Sequence, residues 1–302
     1  MSVGVFFLVA LLATGIGFLA SMFGIGGGFL LVPSMILVFG LETHLTVGTT
    51  AFVIIFMSAS SVVAYARQKR IDYAVTLSVA GASIVGAVLG ALATRLVSGQ
   101  FILVGFGVTE ATLAVVLGTK KTPQEKLAEA LAKKGDLDGG TYAGGAGKIG
   151  GRNEPAKRFT LYRVVKDALG ITHVYKAHVL VALPLSFVAG FLSSLLGIGG
   201  GTLYIQIFVF LCGMPIHLAI ASSMFTIFLS HLLGGGLTFV LIGQVDYVVA
   251  AGYAIGMVAG AQLGALVGKR TGSVLLKRMA AALIVVIAVR MIYFALVENP
   301  GA

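Results

Sequence analysis

Charge is what this sequence has least of. Of its 302 residues only 11% are Asp, Glu, Lys or Arg, tryptophan is absent and there is one cysteine. So few charged side chains cannot clothe a water-soluble fold of this length, which excludes an ordinary soluble enzyme or binding domain. The lone Cys212 lies in an apolar run without a partner, so no disulfide framework and no cysteine metal site is available. It reads as a buried packing thiol. The HExxH and GxSxG patterns are missing and no nucleophile–base pair stands out, which argues against a membrane-embedded enzyme. No cofactor and no metal is called for.

What is present is apolar sequence: 58% of residues are hydrophobic and the mean hydropathy is +1.03. Long apolar stretches cover residues 3–23, 47–66, 73–97 and 101–118, and later 179–196, 218–242, 247–267 and 274–297. Crossing a bilayer takes about 20 such residues, so these are candidate spans of an all-α polytopic membrane protein. Residues 29–39 and 203–211 are too short and read as half-helices. The N-terminal stretch lacks a basic leader and runs straight into more apolar sequence, so it reads as a membrane helix rather than a signal peptide. The net charge is +10, but the basic residues sit in loops, which points to lipid rather than nucleic acid as the partner.

Each half-helix follows the same pentapeptide, Gly24-Ile25-Gly26-Gly27-Gly28 and Gly197-Ile198-Gly199-Gly200-Gly201, 173 positions apart. In that register His44 falls on His217, Thr49-Thr50 on Ser222-Ser223 and Phe52 on Phe225. With one inserted residue, Asp72-Tyr73 falls on Asp246-Tyr247, Gly86 on Gly260 and Gly90-Ala91 on Gly264-Ala265. The chain is therefore two repeats. Each is expected to open with a glycine-broken first segment, half-helical or re-entrant, followed by three transmembrane helices.

If each broken segment returns to its own side, the repeats are inverted. With the N-terminus outside, the inner loops then receive Arg67, Lys69 and Arg70, the twelve basic residues from Lys120 to Lys176, and Lys269, Arg270, Lys277 and Arg278, leaving only Arg95 outside. Parallel repeats would put the last four outside, so the positive-inside rule selects the inverted arrangement, with both termini outside. The expected domains are residues 1–118 and 178–302 as membrane repeats, with a cytoplasmic, Gly-rich basic insert at 119–177. Within the insert, Pro123 opens helix-forming sequence, 135–153 reads as a flexible loop and 159–168 as a short strand. Gly147-Lys148 is not a phosphate loop, because Tyr142 and Ile149 stand where Gly and Ser/Thr are needed.

Irregular backbone survives at membrane depth only where protein or a water-filled cavity surrounds it, so the two breaks mark a special buried place. Free N–H groups at the start of the following half-helix suit an anion, and glycine allows close approach. Two inverted copies converging near the midplane is the arrangement of a secondary transporter, with glycines that merely permit tight helix packing as the structural alternative. Thr49, Thr50, Ser222 and Ser223 add uncharged hydroxyl donors at equivalent places, with back-bonding to their own helix as the structural alternative. His231 lies mid-helix and is a candidate proton relay, with packing as its alternative, whereas His44 and His217 fall in loops. Glu110 and Arg290 have matching estimated depths and could pair, for structure or for coupling, with Arg290 snorkelling outward alone as the alternative. Gly252, Gly256, Gly260, Gly264 and Gly268, matched by Gly86 and Gly90, form a close-packing stripe whose partner is either the other repeat or a second copy of the chain.

The stretch GIGGGFLLVP, the GTT of residues 48–50, RQKRIDY of 67–73 and the second GIGGG with Ala221-Ser222-Ser223 and Gln244-Val245-Asp246 together resemble the TauE/SafE sulfite exporter family. The resemblance covers both membrane halves apart from the insert, and departs from the first repeat at Gln206, which stands where Pro33 does. It implies export of sulfite, organosulfonates or related sulfur oxyanions across the cytoplasmic membrane. Uptake or channel-like conduction of another anion, or a non-transporting membrane sensor, are the alternative functions.

Overall fold

The computed structural model describes residues 3–119, 160–168, 170, 172–268, 271 and 273–298. The first half contains α1 (Val3–Phe23), α2 (Gly28–Phe39), α3 (Thr43–Arg67), α4 (Tyr73–Ala93) and α5 (Gly99–Thr119). A hairpin of β1 (Thr160–Lys166) and antiparallel β2 (Thr172–His178) follows. The second half contains α6 (Val179–Leu196), α7 (Gly201–Gln206, prolonged by a π turn over Ile207–Leu211), α8 (Ile216–Leu233), α9 (Gly235–Leu241), α10 (Tyr247–Gly268) and α11 (Ser273–Tyr293). Seven of the described helices, α8 and α9 counting as one, are long and apolar enough to cross a membrane. Their polarity runs opposite to that of a soluble protein. Ser58, Ser61, Ser83 and Thr226 are buried, while Leu8, Leu11, Leu89, Leu92, Leu263 and Leu266 are exposed. Such a surface belongs against acyl chains. The chain is a multi-pass, mostly helical membrane protein.

Local chemistry starts these helices in the same way in both halves. Asp72 opens α4 by accepting the N–H groups of Ala74 and Val75 through its side chain, and Asp246 opens α10 by accepting those of Val248 and Val249. Gly40 in the left-handed region, φ 61°, ends α2 by donating its N–H to the Ile36 carbonyl.

The first apolar stretch is the full helix read from the sequence: α1 is an unbroken helix of 21 residues and the break comes after it. Two expectations need correction. The apolar run 218–242 is not one helix but α8 and α9, parted at Gly234, whose φ of −125° and ψ of −110° leave the helical region. His44 and His217 are not loop residues but the second residues of α3 and α8. The short strand expected at 159–168 is β1, and its partner β2 was not foreseen. Pro123, residues 135–153 and Lys148 lie outside the described residues.

Packing crosses from one half to the other. A Cβ built on Gly256, Gly260 or Gly264 of α10 would lie 2.1, 2.0 or 2.1 Å from the carbonyl oxygens of Ala10, Thr14 and Phe18 of α1. The contacts advance together by four residues, so α1 and α10 run parallel in backbone contact. Equivalently, a Cβ on Gly86 or Gly90 of α4 would lie 2.0 or 2.1 Å from the carbonyls of Phe187 and Phe191 of α6. These glycine faces are therefore occupied within the chain, by the other half, instead of being free for a second copy. At the centre the Asp246 N–H donates to Thr49 Oγ1 near the start of α3 (2.9 Å), and the Asp72 N–H donates to Ser222 Oγ near the start of α8 (3.4 Å). Asp72 follows α3 and Asp246 follows α9, so α3 and the α8–α9 pair run antiparallel.

The hairpin docks on the α3–α4 turn. Arg163 grips the buried Asp72 carboxylate with two bonds of 2.8 Å, Tyr175 donates its hydroxyl to the same group, and the Ala168 N–H donates to the Gln68 carbonyl (3.0 Å). Burial works to raise the Asp72 carboxyl, but the bonds from Arg163 and Tyr175 and the guanidinium charge outweigh it and hold the group below the ordinary carboxylate range. A carboxyl depressed in the folded state contributes stability that is fully present at neutral pH. That contribution is lost only as pH falls through the depressed value, so the hairpin stays docked in mild acid.

Candidate functional site

The two breaks have the same conformation. Gly24, Gly26 and Gly27 take φ of 73°, 91° and 77°, and Gly197, Gly199 and Gly200 take 70°, 84° and 70°. Three left-handed residues in five is a backbone only glycine adopts without strain, which accounts for the pentapeptide in both repeats. The breaks also touch. A Cβ on Gly28 would lie 2.3 Å from the Gly197 carbonyl oxygen, and one on Gly201 would lie 2.3 Å from the Ile25 carbonyl oxygen. Gly26 and Gly199 face each other, each with the other's carbonyl oxygen 3.0 Å from a built Cβ. Ile25 and Ile198 are fully buried. The two irregular segments are thus each other's surroundings, which is how irregular backbone is tolerated inside an apolar protein.

The hydroxyls expected beside the breaks have mixed employment. Thr49 donates back to the Leu45 carbonyl (2.7 Å) while accepting from Asp246, and Ser222 accepts from Asp72. Both tie the start of one half's helix to the N-cap aspartate of the other half. Ser223 donates within reach of the Gly24 carbonyl (2.9 Å) and of the Ile220 carbonyl (2.8 Å), fastening α8 to the first break. Thr50 donates to the Met35 sulfur, at 3.5 Å.

His231 is buried in α8, its Nδ1 3.0 Å from the Ile227 carbonyl and its Nε2 without a hydrogen-bond partner among the described residues. Glu110 is also fully buried, in α5, where it accepts from Thr202 Oγ1 (3.2 Å), one residue beyond the second break, and its Oε2 has no hydrogen-bond partner among the described residues. The Glu110–Arg290 pair is not formed. Arg290 is exposed, with its guanidinium 5.8 Å from the Tyr293 ring centre and 5.9 Å from that of Phe294. Matching depth placed the two residues at one level but said nothing of which way each faces around its helix. Accordingly, the melting losses of Glu110→Gln and Arg290→Met in detergent should add within about 0.5 kcal/mol in the double variant. A coupling above about 1 kcal/mol would show that the two meet after all.

Sequence reading missed a group of hydroxyls at the second break. Ser83 hydrogen-bonds to the Tyr204 hydroxyl and to Ser230 Oγ (2.6 Å), and Ser193 and Ser194 lie just before Gly197, all of them buried. A signal was available, since Ser193-Ser194 stands where the first repeat has Ala20-Ser21.

Comparison with known proteins agrees with this architecture. The family model for Sulfite exporter TauE/SafE matches residues 8–291. The chain is 29% identical over 254 residues to the Probable membrane transporter protein YunE of Bacillus subtilis (strain 168), covering 81% of this chain and 82% of that protein. It is 26% identical over 244 residues to the Probable membrane transporter protein MJ0441 of Methanocaldococcus jannaschii, covering 79% of this chain and 73% of that one. No solved structure matches significantly. Two glycine breaks in mutual contact, seven helices long and apolar enough to cross a membrane, and a family match across nearly the whole chain lead to one conclusion: this chain belongs to the TauE/SafE sulfite exporter family and is a membrane transporter.

Proposed function

We propose that the chain exports a small sulfur-containing anion, such as sulfite, an organosulfonate or a related oxyanion, across the cell membrane by alternating access. The observation that carries this reading is the mutual contact of the two breaks at the centre of the fold. Two inverted repeats meeting there form an element with two equivalent arrangements, which is what alternating access needs. Support for inversion comes from the antiparallel α3 and α8–α9 and from the cross-packing of α1 on α10 and α4 on α6. On the positive-inside rule the hairpin and the turn at Arg67 to Arg70 face the cytoplasm, and the termini and Arg95 face outward.

Flux into liposomes containing the purified protein tests the function. Sulfite, sulfate, thiosulfate and methanesulfonate should include at least one anion whose flux saturates with concentration and exceeds that of protein-free liposomes. A protein that passes none of them, or passes chloride equally well without saturation, would overturn the reading in favour of a sensor or a channel.

A further inference from the structure

The repeats are alike in backbone but not in what surrounds each break. A Cβ built on Gly27 would meet Met257 Cε at 2.8 Å, Ala20 Cβ at 3.3 Å and Met57 Cε at 3.4 Å. The surroundings of Gly27 are apolar. At the equivalent Gly200 the nearest atoms are Tyr204 Cε2 at 2.7 Å and Ser193 Oγ at 2.8 Å. Repeat equivalence puts Ser193 in the place of Ala20, Ser230 in that of Met57, Ser83 in that of Met257 and Tyr204 in that of Leu31. The same positions that are all apolar around Gly27 are thus all hydroxyl around Gly200.

These hydroxyls are out of solvent contact, between 0% and 1% exposed. Ser83 bonds to both Tyr204 and Ser230, but Ser193 Oγ and Ser194 Oγ have no hydrogen-bond partner among the described residues. On the first side the counterpart of Ser194 is satisfied, because Ser21 Oγ accepts from Ser61 (3.0 Å). A buried hydroxyl left without a partner costs free energy unless something supplies the missing bond. Ser193 Oγ lies 2.8 Å from a Cβ built on Gly200 and Ser194 Oγ 2.1 Å from one built on Gly235, so each has a donor to offer beside a residue without a side chain.

We infer that the transported anion is held at the second break alone, by the uncharged donors Ser193 and Ser194 together with the Ser83–Tyr204–Ser230 group. The inference rests on the transporter reading above and narrows it. The ligand class is an oxyanion, since several oxygens around one sulfur can accept from several hydroxyls at once, and bonds to a charged acceptor are the strong kind. Binding through dipoles rather than a cation holds the anion while leaving it free to depart. The nearby Glu110 is attached to Thr202 and hydrogen-bonds to none of the five hydroxyls.

The test uses the full chain in proteoliposomes and reads sulfite flux against concentration, or methanesulfonate flux if that anion proves the better substrate. The Ser193→Ala/Ser194→Ala protein should show KM raised about tenfold or more, the usual consequence of losing hydrogen bonds to a charged group. Ser21→Ala, the mirror change at the first break, should leave KM within about twofold of the wild type, a difference well under 1 kcal/mol. Should the double variant melt early, Ser193→Ala alone serves, because its hydroxyl holds no other residue. Unchanged KM in the serine variants alongside normal wild-type flux overturns this inference and leaves the transporter reading standing, and equal effects from Ser21→Ala and Ser194→Ala would show two equivalent sites. A wild-type protein without flux of any sulfur anion overturns both.

Discussion

Alanine at Gly28 or at Gly201 is expected to leave little or no correctly folded protein. The added methyl would lie 2.3 Å from the Gly197 carbonyl oxygen in one case and 2.2 Å from the Ile25 carbonyl carbon in the other. Neither neighbour is the far end of a flexible side chain. Each is backbone of the opposite break, locked in left-handed conformations and buried, so relief requires moving one half against the other. Overpacking in a tight core costs about 1–3 kcal/mol, and a clash between two backbones belongs at or beyond the top of that range. Size-exclusion profiles and melting in detergent should show aggregation or a large drop in midpoint for both variants. Gly81→Ala is the control, since nothing lies within 4 Å of its built Cβ and alanine is the better helix former. Wild-type melting of Gly28→Ala would mean that the breaks do not touch.

Leucine at Gly260 should be nearly as damaging, by a different route. A Cβ there would lie 2.0 Å from the Thr14 carbonyl oxygen and 2.8 Å from the Phe18 nitrogen, so a whole side chain must push α1 off α10. Contacts at Gly256 and Gly264, one turn either side, would open with it. Between membrane helices the attraction is chiefly close packing and not exclusion of water, so separation forfeits most of what holds the pair together. The variant should melt well below the wild type and lose flux. A leucine at the exposed neighbour Leu263 is already tolerated, which shows that position on the helix, not size, decides the outcome. Unaltered melting of Gly260→Leu would contradict the parallel packing of these two helices.

Much of this fold was legible because the chain states it twice. The pentapeptides, the Asp-Tyr helix starts and the glycine stripe recur in register, and each recurrence has a local cause: a left-handed turn, an N-cap or a close backbone approach. What the sequence hid was direction around a helix. Glu110 and Arg290 were placed at one depth, yet Glu110 faces Thr202 and Arg290 faces outward. Hydropathy likewise could not show that Thr49 and Ser222 are engaged by Asp246 and Asp72, since those bonds join residues about 150 to 200 positions apart. The break at Gly234 was hidden inside a run of apolar residues, because hydropathy is blind to backbone angles. The hydroxyl shell at the second break was missed for the opposite reason: attention to what the repeats share passes over where they differ.

The central claim is that the two halves enter the membrane from opposite sides and meet at their breaks. Single cysteines at Ser98 and at Gly139, introduced after Cys212→Ala and probed with a membrane-impermeant thiol reagent on intact cells, test it most directly. The account predicts that Ser98→Cys is labelled from outside and Gly139→Cys only after the membrane is opened. Labelling of both from the same side would contradict it.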